Sequence, residues 1–87
     1  MEKAIEKVFK ITEKIQTELM EGQLGYFGIK GIEVKKEKLI YWEQVKMTIE
    51  TNKGTEIIIE IPEYYKLKEI KNCIIRRLVN EVFKEVA

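Results

Sequence analysis

The amino-acid sequence predicts an α+β fold of order α-β-β-β-α, a three-stranded antiparallel meander with two helices packed on one face. Three observations predict it: apolar residues recur every three or four positions over residues 3–21, two segments alternate with period two around Asn52-Lys53-Gly54, and a helical period returns after Pro62. With 87 residues the chain has material for one modest core, so residues 1–87 are read as a single domain.

The first helix is carried by Ala4, Val8, Ile11, Ile15 and Leu19, with Ile5 and Phe9 widening the stripe. Glutamate and lysine fill its other face, including Glu6 and Lys10 one turn apart, and Gly22 is placed to close it. Glycines then recur at Gly22, Gly25, Gly28 and Gly31. The apolar parity changes between Phe27/Ile29 and Ile32/Val34, which predicts a bulge near Lys30-Gly31 in the first strand.

Residues 38–51 and 55–61 read as the clearest hairpin. Val45, Met47 and Ile49 alternate with polar residues, as do Ile57, Ile59 and Ile61 with outward-facing ones, and Asn52-Lys53-Gly54 suits a type I turn closed by a left-handed glycine. Thr51 opposite Thr55 sets Ile49 against Ile57, Met47 against Ile59, Val45 against Ile61 and Lys46 against Glu60. For the preceding hairpin, Lys35, Lys36 and Lys38 read as the loop. Pairing Val34 with Leu39 then puts Ile32 opposite Tyr41, and Gly31 opposite Trp42 on the outer face. Pro62 is expected to end the third strand and open a helix over residues 63–86. That helix carries two stripes: Leu67, Ile70, Ile74, Leu78, Val82 and Val86, and beside them Ile75, Val79 and Phe83. The doubled stripe is wider than one contact with a small sheet requires and asks for the first helix or another chain.

Composition narrows the chemistry. Histidine, aspartate and serine are absent, which removes Ser-His-Asp and Cys-His nucleophilic sites, histidine metal sites and aspartate-based phosphoryl transfer. No cofactor or metal is expected. At 45% hydrophobic and 36% charged the chain is globular in character, and its formal charge of +1 supplies no overall field toward nucleic acid or an anionic membrane. The lone Cys73 cannot form an internal disulfide, and no signal-like or membrane-length apolar run is seen, so a cytoplasmic protein without membrane association is expected. Cys73 itself reads as a small helix-margin hydrophobe.

The glycine series matches no phosphate-binding loop: GxxxxGK[ST] cannot be written, and no strand precedes the glycines. Gly28-Ile-Lys-Gly31 matches the bare GxxG of the KH nucleic-acid module, whose loop joins two helices where this segment enters a strand. Glu43 is the one charge among the core-facing Leu39, Tyr41, Val45, Met47 and Ile49. With Tyr26, Tyr41 or Lys30 nearby it would form the one acid-base site these residue types permit, a small-enzyme alternative.

Basic residues gather at Lys35, Lys36 and Lys38, at Lys66, Lys68 and Lys71, and at Arg76 and Arg77. The α-β-β-β-α order is similar to that of the double-stranded RNA-binding domain, and the resemblance implies contacts from the first helix, the first hairpin loop and the start of the second helix. It covers element order alone. That family's Gly-Pro loop and basic, alanine-rich helix entry have no counterpart in Glu63-Tyr-Tyr-Lys-Leu-Lys-Glu. RNA or DNA binding through these lysines and arginines is therefore the alternative reading. The leading expectation is a non-catalytic interaction module, an inhibitor or adaptor (a phage-encoded one included) or a homodimer. Its protein-binding surface would comprise Trp42, Ile40, Ile58, Ile75, Val79 and Phe83.

Overall fold

A computed structural model describes residues 3–21 and 28–86, with side chains as far as residue 81. Its elements are α1 (Ala4–Met20), β1 (Ile29–Lys38), β2 (Glu43–Thr51), β3 (Glu56–Pro62) and α2 (Leu67–Val86). The strands form one antiparallel sheet in the order β1-β2-β3, and both helices cover the same face. The α+β reading of the sequence holds.

The core lies between that face and the helices. Val45, Met47 and Ile49 of β2 and Ile57, Ile59 and Ile61 of β3 are all buried against Ile5, Val8, Ile15 and Leu19 of α1 and Ile70, Ile74 and Leu78 of α2. The β2–β3 register is the expected one, including Ile49 with Ile57 and Lys46 with Glu60. Gly54 adopts φ +85° in the turn, a conformation that suits a residue without Cβ. The bulge is also found, as a register shift between Ile29 and Gly31.

Four expectations need correction. The centre of the buried face of α1 runs Ile5, Val8, Thr12, Ile15, Leu19, with Ala4 exposed. Thr12 is fully buried because its hydroxyl donates to the Val8 carbonyl at 2.7 Å, so the helix satisfies its own polar group. Second, Lys35, Lys36 and Lys38 belong to strand β1 and not to a loop. Ile32 faces Ile49, Gly31 faces Glu50 and Val34 faces Met47, so the expected pairs with Tyr41, Trp42 and Leu39 do not form.

Third, Pro62 pairs with Gln44 as the last residue of β3, and a turn over Glu63 and Tyr64 precedes α2. The helix begins beyond it, where the Glu69 carboxylate accepts from the Lys66 amide at 3.2 Å. Fourth, among the described side chains of α2 only the line Ile70, Ile74, Leu78 reaches the core fully; Leu67 is 49% exposed and Ile75 42%. Gly22, Gly25, Tyr26 and Phe27 lie outside the described residues, as do the side chains of Val82, Phe83 and Val86.

Candidate interaction surface

The β1–β2 connection is the most anomalous part of the surface. The Leu39 amide donates to the Trp42 carbonyl at 2.8 Å and closes a loop whose two central residues are Ile40 and Tyr41. Tight hairpin loops favour glycine, asparagine or aspartate, which reach positive φ at little cost, yet no described residue other than glycine has positive φ. The tip therefore has neither the residues nor the backbone of a preferred two-residue hairpin turn. Ile40 and Tyr41 are 90% and 88% exposed, and Trp42 is half exposed.

The segment after β3 joins this end of the molecule. The Glu63 amide donates to the Glu43 carbonyl at 3.3 Å, and Glu63 lines a shallow concavity with Lys38, Leu39, Trp42 and Glu43. The next residue, Tyr64, is exposed, and its ring meets that of the half-buried Tyr65 edge-on, 5.4 Å between centroids. Large apolar groups thus crowd one end of the sheet.

The outer sheet face has its own fixed point. Gln44 points away from the helices yet is only 4% exposed, because its amide nitrogen donates to Glu37 on β1 at 3.0 Å and to Glu60 on β3 at 2.8 Å. One amide ties all three strands and orders the charged face next to the tip. Ile58 lies on this same face, partly exposed, opposite Thr48.

Of the residues expected to bind a partner, the structure brings Ile40 and Trp42 together and puts Ile58 on the adjoining face. Ile75 and the half-buried Val79 are on α2, on the other side of the sheet, so the six do not make one patch. Sequence reasoning missed Tyr41 and Tyr64; the signal for Tyr41 was its neighbour Ile40 in a segment with no turn residues.

No protein-family model, curated protein or solved structure matches the chain. The likeness to the double-stranded RNA-binding domain accordingly extends to element order only.

The basic residues are not gathered into one stripe. Lys35 points to the outer face opposite Lys46, whereas Lys36 points to the helix side, bonds Glu6 at 2.9 Å and lies over the Phe9 ring at 5.2 Å. Lys38 flanks the tip, Lys66 and Lys68 stand at the start of α2, and Arg76 and Arg77 lie two turns on beside Cys73. Burial raises the Cys73 thiol pKa, and the nearby Arg77 and Arg76 only partly offset it.

The Glu43 constellation does not assemble among the described residues. Glu43 is half-buried at the start of β2, whereas Lys30 sits 3.7 Å from Glu50 at the far end of the same strand, roughly 20 Å along the ladder. Tyr41 points into solvent, and Tyr26 is outside the described residues. No three His, Cys, Asp or Glu side chains among the described residues converge as a metal site, and no helix is long and apolar enough to cross a membrane.

Proposed function

We propose that this protein is a non-catalytic interaction module, an inhibitor or adaptor, that binds a protein partner through the hairpin tip formed by Ile40, Tyr41 and Trp42. One observation carries the reading: the tip holds large apolar residues where turn chemistry asks for small polar ones, and the fold gains almost no burial from Ile40 and Tyr41. Departures from local structural preference are expected where function outweighs stability. Tyrosine and tryptophan supply contact area at little cost in side-chain entropy, which is why they dominate binding hot spots. The composition supports the same reading, since it lacks the residue types from which most nucleophilic and metal sites are made.

The test compares the native chain with the double variant Ile40→Asn, Tyr41→Gly, which supplies a favoured hairpin turn in place of the apolar tip. Affinity capture from cells expressing each chain at native level, with light scattering on the purified proteins, reads both foreign partners and self-association. A partner, or a dimer, present with the native chain and lost with the variant supports the proposal. Equal capture and equal mass with both chains would remove it.

A further inference from the structure

The sheet has two edge strands, β1 and β3, and they are protected differently. In an antiparallel ladder alternate residues direct their N–H and C=O groups to the neighbour or away from it. The Leu39–Trp42 bond sets the phase on β1, so the backbone groups of Ile32, Val34 and Lys36 point outward. The Ile32 carbonyl is taken by the Gln16 side chain of α1 at 2.8 Å, and Lys36 is drawn to Glu6 on the same helix. α1 therefore guards that edge.

On β3 the Thr51 amide donates to the Thr55 carbonyl, which puts Ile57, Ile59 and Ile61 in the bonded positions. The N–H and C=O groups of Glu56, Ile58 and Glu60 consequently point away from the sheet. No backbone or side-chain group among the described residues takes them, and all three residues are exposed. Pro62, which has no N–H, marks where such an edge stops.

The side chains along this edge select what can add to it. Glu56 stands directly opposite Glu50, a like-charged cross-strand pair, and no cation among the described residues lies within ion-pair distance of Glu56. Glu56-Ile-Ile-Ile-Glu60 reads the same in both directions, so two copies aligned antiparallel over the whole segment would set Glu56 of each against Glu60 of the other. That arrangement repels. Self-pairing is disfavoured by the same two carboxylates that would attract a cationic strand.

We infer that the β3 edge takes up an extended peptide segment of a partner protein, antiparallel to Glu56–Glu60, with basic side chains opposite the two glutamates and a small apolar one opposite Ile58. Main-chain bonds to positions 56, 58 and 60 would hold the segment, and the alternate side chains would give specificity. This surface is distinct from the hairpin tip, and the inference does not depend on it.

The test uses the whole chain, labelled with 15N, and two probes at low ionic strength: acetyl-Lys-Thr-Val-Thr-Lys-amide and acetyl-Glu-Thr-Val-Thr-Glu-amide. The lysine peptide should slow amide exchange at Glu56, Ile58 and Glu60 while leaving Ile57 and Ile59, already bonded to β2, unchanged. It should bind about tenfold more tightly than the glutamate peptide. Glu56→Lys should weaken the lysine peptide while keeping the native amide spectrum, since it also relieves the contact with Glu50. The inference is overturned by equal binding of the two peptides, by no saturable binding of the lysine peptide at millimolar concentration, by perturbation without the two-residue alternation, or by dimerisation of the free chain through β3.

Discussion

The side-chain amide of Gln16, in the fourth turn of α1, donates to the main-chain carbonyl of Ile32 on the exposed edge of β1, 2.8 Å away. A helix thus closes a sheet edge with one hydrogen bond. Gln16→Ala should cost about 0.5–1 kcal/mol, the lower part of the range for such bonds because water can replace the donor at an edge. Urea denaturation with an unchanged slope checks the figure, and faster amide exchange at Glu33, which bonds Thr48 across the ladder, should accompany it. Native stability and exchange in the variant would show that the edge is not held by this contact.

Gln44 should be the most sensitive polar position of the sheet. Removing a nearly buried amide that serves two carboxylates leaves Glu37 and Glu60 facing each other without a donor, and Gln44→Ala should cost about 2 kcal/mol. Glu37→Gln alone should cost less, because Glu60 would still accept. Thermal and denaturant unfolding of the two variants separates these outcomes, and equal losses would contradict the bridging role.

The Glu6–Lys36 pair makes a prediction in pH. The Lys36 ammonium, hydrogen-bonded to Glu6, holds that carboxyl below its ordinary value against an opposing desolvation. A carboxyl depressed in the folded state adds stability above its unfolded pKa, and that contribution disappears as pH falls through the folded value. Lys36→Met should therefore return the Glu6 titration, followed by NMR, to the ordinary range and flatten the acid limb of the stability profile. Added salt should shrink the difference between native and variant chains. An unshifted Glu6 titration in the variant would assign the depression to another cation.

Stability and recognition should move in opposite directions at the tip. Replacing Ile40 and Tyr41 by asparagine and glycine removes exposed groups that pack on nothing and installs a turn that matches strand twist. The double variant should gain about 0.5–1 kcal/mol by denaturation. A loss of stability would mean that the native side chains support the hairpin after all.

How much of this was legible in the residues depended on whether pattern and chemistry agreed. In β2 and β3 the apolar alternation, the Lys46–Glu60 pair and Asn52-Lys53-Gly54 all require one register, and that register is found. At the first hairpin they conflict. Lys35, Lys36 and Lys38 have loop composition and Leu39, Ile40 and Tyr41 have strand composition, yet the chain turns at the apolar residues. Lys36 is accommodated in a strand because its ammonium reaches Glu6 and lies over the Phe9 ring, contacts that depend on α1 and are invisible to local pattern. Thr12 was overlooked in the core for a related reason: its burial is permitted by a bond to its own helix. Gln44 carries no sequence signal, because its carboxylate partners become neighbours only when the three strands are in register.

The hairpin tip is closed by one main-chain bond between Leu39 and Trp42, and the side chains at positions 40 and 41 take no part in it. Those two positions form an interchangeable cassette on a fixed frame. Under the proposed function, the target would be changed by rewriting two codons, with the core from Ile5 to Leu78 left as it stands. The same independence makes the protein a scaffold for display: libraries varied at 40 and 41 should fold at nearly constant yield, each member presenting a different pair of side chains at the same place.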